Sequence, residues 1–218
     1  HTFGGKISSC LVNPRACYET ELVIAPAAAP KTIAVVGAGP AGLSVALTAA
    51  DRGHKVTLFD RAARVGGQLN MARQIPGKEE FHGLVDWYET MVADAGIDLR
   101  LNTPVSVDDL SGFDEVVIAT GVIPRDPGIP GQDRPNVLSY IDVLAGKAPV
   151  GKTVAVVGAG GIGFDVAELI SHKGTSAALD IDVFAREWGI DFKNHPRGGV
   201  TGVEPHVETS GREITLLQ

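Results

Sequence analysis

The sequence has few of the residues and segments that mark several large classes of protein. Only two of its 218 residues are cysteines, so it gives no hint of a disulfide framework. No apolar run approaches the roughly 18 residues that a membrane-spanning helix needs. The formal net charge is -7, and the lysines and arginines form no cluster. The composition therefore argues against a membrane and against nucleic acid as partners.

The amino-terminal end also lacks the features of a secretory signal. Residues 1–6 have neither a basic start nor an apolar stretch. With 44% apolar and 21% charged residues, the chain can bury a core and is long enough for one or two domains. We therefore expect a soluble, cytoplasmic protein. The start at His1 instead of a methionine suggests a fragment or a processed chain.

What the sequence does contain is an internal near-repeat. Residues 31–42 read KTIAVVGAGPAG and residues 152–163 read KTVAVVGAGGIG, so nine of the twelve positions are identical. Each copy is an apolar strand that runs into a G-x-G-x-x-G turn and then into a helix start rich in small residues. This layout binds the pyrophosphate of a dinucleotide. Two such sites in one chain suggest electron transfer between two cofactors.

In the first copy each glycine has its own physical role. Gly37 ends the strand at a turn that needs backbone angles most residues avoid, while Gly39 has no side chain to block a phosphate. Gly42 lets the helix pack tightly on the strand. The helix that begins near Pro40 and Ala41 offers free N–H groups and the positive end of its dipole to the phosphates. The plain alternative is a glycine-rich packing turn.

An acidic residue strengthens the dinucleotide interpretation. Asp60 follows the apolar run at residues 56–59 and lies about 20 residues beyond the glycines, where an acceptor for ribose hydroxyls belongs. Strand, turn, helix, strand and acid together are much more specific than the glycine pattern alone. We therefore predict a dinucleotide site in the first copy.

The second copy has the same turn but a less clear acid. Its predicted cofactor-binding residues are those of the turn and the helix start: Gly158, Gly160, Gly161, Ile162, Gly163 and Asp165. Asp165 has two interpretations, of equal weight from the sequence. It faces the nicotinamide, or it is an acid that favours a helix N-terminus.

The region after this turn also has two interpretations. If residues 181–185 form a strand, Arg186 at its end is placed to meet a 2'-phosphate and to favour NADP over NAD. If residues 180–190 form a helix, the spacing of its apolar residues makes a buried stripe of Ile181, Phe184, Ala185 and Trp188. We favour the helix. The second strand of this unit is then residues 213–217, and the unit stays incomplete.

The rest of the chain alternates strand and helix signals. Apolar residues at helical spacing predict a helix over residues 79–95 whose stripe packs in the core. Strands are predicted at 97–101, 105–107 and 115–119, the last of them buried and leading into Thr120 and Gly121, and a loop is predicted at 124–135.

Several of these segments together resemble a known family. The tandem GAGPAG and GAGGIG turns, the GGQ loop after Asp60 and the strand that closes in ATG look like flavoprotein reductases with FAD and NAD(P)H in two nested domains. More narrowly, SSCLVNPRAC at 8–17, QIPGKEEF at 74–81 and KAPVGKTVAVVGAGGIGFD at 147–165 resemble the bacterial NADPH-dependent 2,4-dienoyl-CoA reductases, which are trimethylamine-dehydrogenase-like flavoproteins. The resemblance covers most of the chain and is weakest over 171–211.

The resemblance implies a fold and a set of cofactors. The expected fold is α/β, with two nested Rossmann-type units of parallel strands: an arm at 1–30, a partial FAD-binding domain at 31–148 and a partial NAD(P)H-binding domain at 149–218. The expected cofactors are FAD and NADPH, with hydride transfer from NADPH to FAD. In the complete enzyme, electrons continue through a 4Fe-4S cluster to FMN. The expected partner is therefore the missing amino-terminal flavin barrel and cluster segment of the same enzyme.

Residue by residue, the resemblance assigns roles in the FAD site. It implies that the FAD pyrophosphate is bound by Gly37, Gly39, Pro40, Ala41 and Gly42. It implies that Asp60 binds the adenosine ribose. The path toward the flavin is then lined by Gly67, Gln68, Thr120 and Gly121. Simpler alternatives stay open. The two glycines of the GGQ loop also suit a simple turn, and Gln68 also suits a solvated loop. Thr120 and Gly121 also suit the plain end of a strand. Because the family closes its FAD domain with segments that follow Gln218, we expect weak FAD binding or none.

The cysteines and histidines point to no complete site within this chain. Cys10 matches the last cluster ligand of the family, whose other three cysteines lie upstream, and we expect no cluster here because one needs about four thiolates. Cys17 matches no ligand and is interpreted as structural. The histidines are scattered and are interpreted as surface or packing residues: His54, His82, His172, His195 and His206. Turnover of a dienoyl-CoA is therefore not expected from this chain alone.

Three other functions stay open at this point. A thioredoxin-reductase-like enzyme shares both glycine turns and GGQ, but it needs a C-x-x-C pair, and Cys10 and Cys17 are seven residues apart. In a trimethylamine-dehydrogenase-like chain, one site holds a nucleotide that is only structural. The third alternative is a non-catalytic electron-transfer subunit, as in the small subunit of glutamate synthase.

Overall fold

The computed structural model describes residues 2–8, 10, 13–193, 203–206 and 208–218. It divides into two compact units. The first comprises His1–Gly67 and Leu84–Ile123, and the second comprises Gln68–Gly83 and Pro124–Gln218. Each unit contains one of the two repeated turns. The assignment of residues 1–30, 31–148 and 149–218 to an arm, an FAD domain and an NAD(P)H domain stays a prediction.

Strands and helices alternate along the chain. The strands are β1 (Thr32–Val36), β2 (Lys55–Phe59), β3 (Asp98–Arg100), β4 (Glu115–Ile118), β5 (Thr153–Val157) and β6 (Glu213–Leu217). The helices are α1 (Pro40–Asp51), α2 (Leu69–Ala72), α3 (Glu80–Asp94), α4 (Tyr140–Leu144), α5 (Gly161–Ser171) and α6 (Ile181–Trp188). The predicted α/β class with Rossmann-type units of parallel strands is confirmed.

The sheet of the first unit positions the first turn. Its four strands are parallel and lie in the order β3-β2-β1-β4, so β1 is paired on both sides. β1 and β2 are almost continuous apolar runs, which is typical of parallel strands covered on both faces. Ala34 and Val35 of β1 and Leu58 of β2 are fully buried. Parallel strands end at the same edge of the sheet, so the segments that follow β1, β2 and β4 meet there.

Two further features hold the first unit together. α3 confirms the predicted helix over 79–95, and of the predicted stripe it buries Val85, Tyr88 and Val92. At the start of β1, one carboxylate oxygen of Asp114 accepts hydrogen bonds of 2.7 Å from both the backbone N–H and the hydroxyl of Thr32. These hydrogen bonds hold the pKa of Asp114 below its ordinary value.

The second unit repeats the strand-helix-strand order. β5 and β6 pair in parallel from Thr153 beside Glu213 to Val157 beside Leu217. Asp180 caps α6, since its side chain accepts from the second and third helical N–H groups, and Gly189 ends the helix in a left-handed conformation. The helix over 180–190 is therefore confirmed against the alternative strand. The second strand predicted at 213–217 is confirmed as β6.

A small core supports the second unit. Its buried centre joins Ile75, Leu144 of α4, and Val166 and Ile170 of α5. Arg212, just before β6, donates through Nη1 to the carbonyl oxygen of Ile170 at 2.7 Å and through Nε to that of Gly151 at 3.1 Å. This arginine thus joins the end of α5 to the segment that leads into β5, and it satisfies a carbonyl that the helix leaves unpaired.

One predicted strand is wrong. Residues 105–107 form no strand, because the carboxylate of Asp109 accepts hydrogen bonds of 2.7 Å from the backbone N–H and the hydroxyl of Ser106. That N–H group is therefore not available to a neighbouring strand. The chain instead turns into a short 3-10 helix, Asp108–Leu110.

Two expectations about burial are also wrong. β4 forms as predicted but is not buried, since Ile118 is 66% exposed, and β4 is an edge strand paired with β1 alone in the described sheet. α6 buries Ala185, whereas Ile181 and Trp188 are 68% and 64% exposed. Helical spacing identifies residues that share a face, but whether another element covers that face depends on tertiary structure.

No helix in the described part of the chain has both the length and the apolar character needed to cross a membrane. This finding leaves the expected cytoplasmic location a prediction.

Candidate functional site

The first turn lies between β1 and α1 and has the backbone that its glycines predict. Gly37 has a φ of +110°, where side-chain-bearing residues are strained. Gly39 is the extended N-cap residue of α1, with φ -79° and ψ -180°, and Pro40 is the first helical residue. Proline is favourable there because its missing N–H would have no helical partner. Ala41 follows as the second helical residue and is exposed.

The three glycines of this turn have different surroundings. A Cβ atom placed on Gly42 would lie 1.8 Å from the carbonyl oxygen of Gly37, and one placed on Gly37 would lie 2.3 Å from that of Ala119. These two glycines are needed for packing. A Cβ placed on Gly39 would instead meet only the Cα of Gly67, at 3.9 Å. The space in front of Gly39 is open, as a diphosphate at this helix N-terminus requires.

Asp60 lies beside the turn, just after β2. Its Oδ2 accepts a 2.7 Å hydrogen bond from the N–H of Ala38, and its Oδ1 accepts one of 2.7 Å from the N–H of Ala62. A carboxylate has about four lone-pair positions, so about two stay available for other donors. Ribose hydroxyls would be suitable donors. The structure thus brings the predicted ribose acceptor to the predicted phosphate turn.

Two other predicted segments also lie at this edge of the sheet. The N–H of Gly66 donates to the carbonyl oxygen of Ala38 at 2.8 Å, and a Cβ on Gly67 would come within 3.0 Å of the Cα of Gly39. Thr120 follows β4, and its Cα would lie 3.1 Å from a Cβ on Gly37. Gly121 comes next with a φ of +74°. Gln68 follows the glycine pair as the exposed N-cap residue of α2 and is grouped with the second unit.

The second turn, between β5 and α5, has almost the same backbone as the first. Gly158 has a φ of +111°, and Gly160 is the extended N-cap residue of α5, with φ -89° and ψ -175°. A Cβ on Gly163 would lie 1.8 Å from the carbonyl oxygen of Gly158, the same distance as in the first turn. Gly161 and Ile162 form the exposed start of α5. A Cβ on Gly160 would meet no described atom within 4 Å, so this turn also has room for a diphosphate.

Asp165 is fixed by a residue to which the sequence analysis assigns no role. Its Oδ1 lies 2.6 Å from Nζ of Lys78, with 30% and 38% of the two side chains exposed. Lys78 belongs to the QIPGKEEF segment, which indicates no partner for this lysine. The motif spacing around Asp165 contains no signal for it, because 87 residues separate the two.

The remaining candidate residues are scattered. Cys10 and Cys17 are both free and exposed, and the ligand role of Cys10 stays a prediction. Among the described residues, no group of three or more histidine, cysteine, aspartate or glutamate side chains is arranged to hold a metal ion. His195 lies outside the described residues.

Comparisons with known proteins agree with this geometry. A family model for pyridine nucleotide-disulphide oxidoreductases matches residues 31–187. Such proteins and their neighbours bind FAD and NAD(P)H. The match therefore includes both glycine turns.

Individual relatives are much longer than this chain. A metal reductase of Desulforamulus reducens is 38% identical over 181 residues, which are 80% of this chain and 27% of the relative. An NADH oxidase of Thermoanaerobacter brockii is 37% identical over 179 residues, with 78% and 27% covered. Among solved structures, a 2-naphthoyl-CoA reductase in complex with 2-naphthoyl-CoA is similar with a TM-score of 0.74 and 27% identity, over 99% of this chain and 37% of that one. The chain thus spans about a quarter of the length of these curated relatives.

Proposed function

Because the chain belongs to the pyridine nucleotide-disulphide oxidoreductase family and carries a flavin- and NAD(P)-dependent oxidoreductase domain, we propose that it is the FAD- and NADPH-binding part of an enzyme that reduces 2,4-dienoyl-CoA. When bound, the two cofactors supply hydride transfer from the nicotinamide to the flavin. The observation that carries this proposal is the pair of open glycine turns with nearly the same backbone, one in each unit.

In the first unit, the turn residues bind the diphosphate of FAD. The open space at Gly39 admits the phosphates, and the helix that starts at Pro40 and Ala41 offers its unpaired N–H groups. Asp60 accepts hydrogen bonds from the adenosine ribose with the lone pairs that Ala38 and Ala62 leave free. The packing glycines Gly37 and Gly42, together with Gly67, Thr120 and Gly121, complete the part of the proposed site that lies in the first unit.

In the second unit, the corresponding residues bind NADPH. Gly160 leaves space for the diphosphate, and Gly161 and Ile162 begin the helix whose N–H groups face it. Gly158 and Gly163 shape the turn. Asp165 lies one helical turn further on. The similarity to an NADH oxidase makes NADH the natural competitor of NADPH in any binding measurement.

The substrate and the electron acceptor belong to the longer enzyme in this proposal. The segments SSCLVNPRAC and QIPGKEEF support a 2,4-dienoyl-CoA reductase, and the similarity to a 2-naphthoyl-CoA reductase supports a CoA thioester as substrate. Cys10, which is exposed and free, is proposed to be one of the four thiolate ligands of a 4Fe-4S cluster that leads to FMN. The other three ligands and the flavin barrel are the proposed partner of this chain.

Two alanine variants test the proposal, because the structure leaves room for a methyl group at both positions and an effect on cofactor binding can be separated from an effect on folding. Gly39→Ala and Gly160→Ala each add a methyl group where it meets no described atom closer than 3.9 Å, at a negative φ. We expect little change in the free energy of unfolding. We expect Gly39→Ala to weaken further the already weak FAD binding expected of this chain and Gly160→Ala to weaken NADPH binding, each at least about tenfold, since the methyl group blocks close approach of a phosphate. Equilibrium dialysis with FAD, NADPH and NADH measures each affinity.

The two glycine variants also provide controls for each other. Each variant serves as the control for the other cofactor, and Gly83→Ala, a helical glycine with open space around it, is the control for adding a methyl group. Normal binding of both cofactors by both variants contradicts the proposed sites. Anaerobic addition of NADPH to the FAD-loaded parent chain should bleach the flavin absorbance, and a flavin that stays oxidised would favour a structural nucleotide instead.

A further inference from the structure

We propose that Lys78 is a positioning residue of the second nucleotide site, which it serves by neutralising Asp165. The inference rests on the proposed function, because it takes the second turn to be the NADPH diphosphate site. It starts from the ion pair between Lys78 Nζ and Asp165 Oδ1, which are 2.6 Å apart. Lys78 touches the helix and not the cofactor in this proposal, so its effect on binding acts through Asp165.

The place of Asp165 explains why a cation is needed. It is the fifth residue of α5, which begins at Gly161. The Cα–Cβ bonds of a helix tilt toward its N-terminus, so a side chain at this position covers the first turn. The N–H groups of that turn and the positive end of the helix dipole attract the diphosphate. An uncompensated carboxylate beside them would oppose this attraction by repelling the phosphates.

The first copy of the motif has a neutral pair at the same position. Aligning the two repeats places Ser44 where the second copy has Asp165. The hydroxyl of Ser44 lies 2.9 Å from that of Tyr88, so the first helix carries no negative charge there. The second helix does carry one, and Lys78 cancels it. The starts of both helices thus carry no net charge at this position, the first because Ser44 is neutral and the second because Lys78 pairs with Asp165.

Packing on both sides of Lys78 holds it in position. Three residues before it, Ile75 is buried in the core of the second unit with Val166 and Ile170 of α5, and the N–H of Lys78 donates to the carbonyl oxygen of Ile75 at 3.0 Å. On its other side, the carbonyl oxygen of Lys78 accepts a hydrogen bond of 3.2 Å from the N–H of Phe81. The next residue is Glu79. Burial acts to raise the pKa of Glu79, but a hydrogen bond from Ser176, backbone N–H groups and the charge of His172 hold it below its ordinary value.

The test is a double-mutant cycle on NADPH affinity, with the full 218-residue chain. The variants are Lys78→Met, Asp165→Asn and the two combined, with Lys78→Arg as the conservative replacement. We expect Lys78→Met to weaken NADPH binding about fivefold to tenfold at low salt, and less at high salt, because it exposes the phosphates to an unpaired carboxylate. Asp165→Asn alone should bind NADPH more tightly than the parent chain, because Lys78 keeps its charge and no carboxylate is left to cancel it. The double variant and Lys78→Arg should both recover most of the lost affinity.

Recovery in the double variant is the decisive result. If the double variant binds as weakly as Lys78→Met, then Lys78 contacts the phosphates directly and the inference is wrong. If Asp165→Asn alone weakens binding, Asp165 contacts the cofactor itself and the inference is also wrong. Unchanged affinity in Lys78→Met overturns this inference but not the proposed function, whereas no NADPH binding by the parent chain overturns both. Thermal unfolding of each variant shows whether a loss of affinity comes from a loss of structure.

Discussion

The two glycine turns have nearly the same backbone but very different surroundings. The φ angles of Gly37 and Gly158 are +110° and +111°, and both helices begin at an extended glycine. A Cβ on Gly37 would overlap the carbonyl group of Ala119, whereas a Cβ on Gly158 would meet no described atom within 4 Å. The sequence repeat therefore determines the conformation of the turn, and the sheet around it determines how closely it is enclosed.

The difference follows from strand pairing. β1 lies between β2 and β4, and the end of β4 brings Ala119 against the first turn. In the described second sheet, β5 pairs with β6 alone. The strain that a positive φ imposes on a side chain and the overlap caused by tertiary enclosure are thus separable in this molecule, because a Cβ at Gly37 would meet both and a Cβ at Gly158 only the first. Substitutions at equivalent glycines can measure each contribution.

The largest effect is expected where the two turns are the same. Gly42→Ala and Gly163→Ala each place a methyl group 1.8 Å from a carbonyl oxygen of their own turn, so the helix must move away from the strand. Each should lower the free energy of unfolding of its unit by about 3 kcal/mol. Urea unfolding followed by tryptophan fluorescence measures both, since Trp87 is in the first unit and Trp188 is in the second. A loss below about 1 kcal/mol in either variant would show that the helix and strand separate easily.

A smaller effect is expected where the two turns differ. Gly158→Ala adds only the strain of a positive φ, about 1–3 kcal/mol, whereas Gly37→Ala adds this strain and an overlap with Ala119. Gly37→Ala should therefore be the more destabilising by about 1–3 kcal/mol. The same unfolding experiment compares them. Equal losses would mean that the end of β4 yields to the added methyl group, and the proposed contrast in enclosure would then be wrong.

The smallest effect concerns the starts of the two repeats. The carboxylate of Asp114 accepts a hydrogen bond from Thr32 at the start of β1, and this bonding lowers the pKa of Asp114. Asp114 therefore stabilises the folded state above its unfolded pKa of about 4. This stabilisation is lost as the pH falls through the lower pKa of the folded state. Asp114→Asn should reduce the stability of the first unit at pH 7 and flatten its decline below about pH 4. In the second unit, Arg212 ties the segment before β5 through a hydrogen bond of 3.1 Å from its Nε to the carbonyl oxygen of Gly151.

Urea titrations at several pH values, with the fluorescence of Trp87 as the signal, check this prediction. Asp108→Asn, in an exposed 3-10 turn of the same unit, is the control for loss of a carboxylate. An unchanged pH profile in Asp114→Asn would assign the acid sensitivity of the first unit to other carboxylates.

Much of the fold could be predicted from the sequence because its signals are local. The apolar run of β1, the glycine turn and the apolar run of β2 each act over a few residues, and α3 has a clear helical period. α4 has a comparable local signal, since Ser139 caps it and accepts a hydrogen bond from the N–H of Asp142. The exposure of β4 and of Trp188 could not be predicted, because it depends on which elements cover a face.

The candidate sites follow the same division. The proximity of Gly39 and Asp60 follows from the order of parallel strands, which the motif already implies. The pairing of Lys78 with Asp165 depends instead on where the segment Gln68–Gly83 packs, and no local pattern contains that information. Contacts between residues far apart in sequence are therefore what the structure adds to the motif.

The hydrogen bond from Ala38 to Asp60 has a consequence for any attempt to change cofactor preference in the first unit. The carboxylate of Asp60 both holds the loop and is the proposed acceptor for a ribose, so replacing it to admit a different nucleotide would also release the loop from this hydrogen bond. A redesign that keeps the fold intact must supply a second acceptor for that amide before it removes the acid.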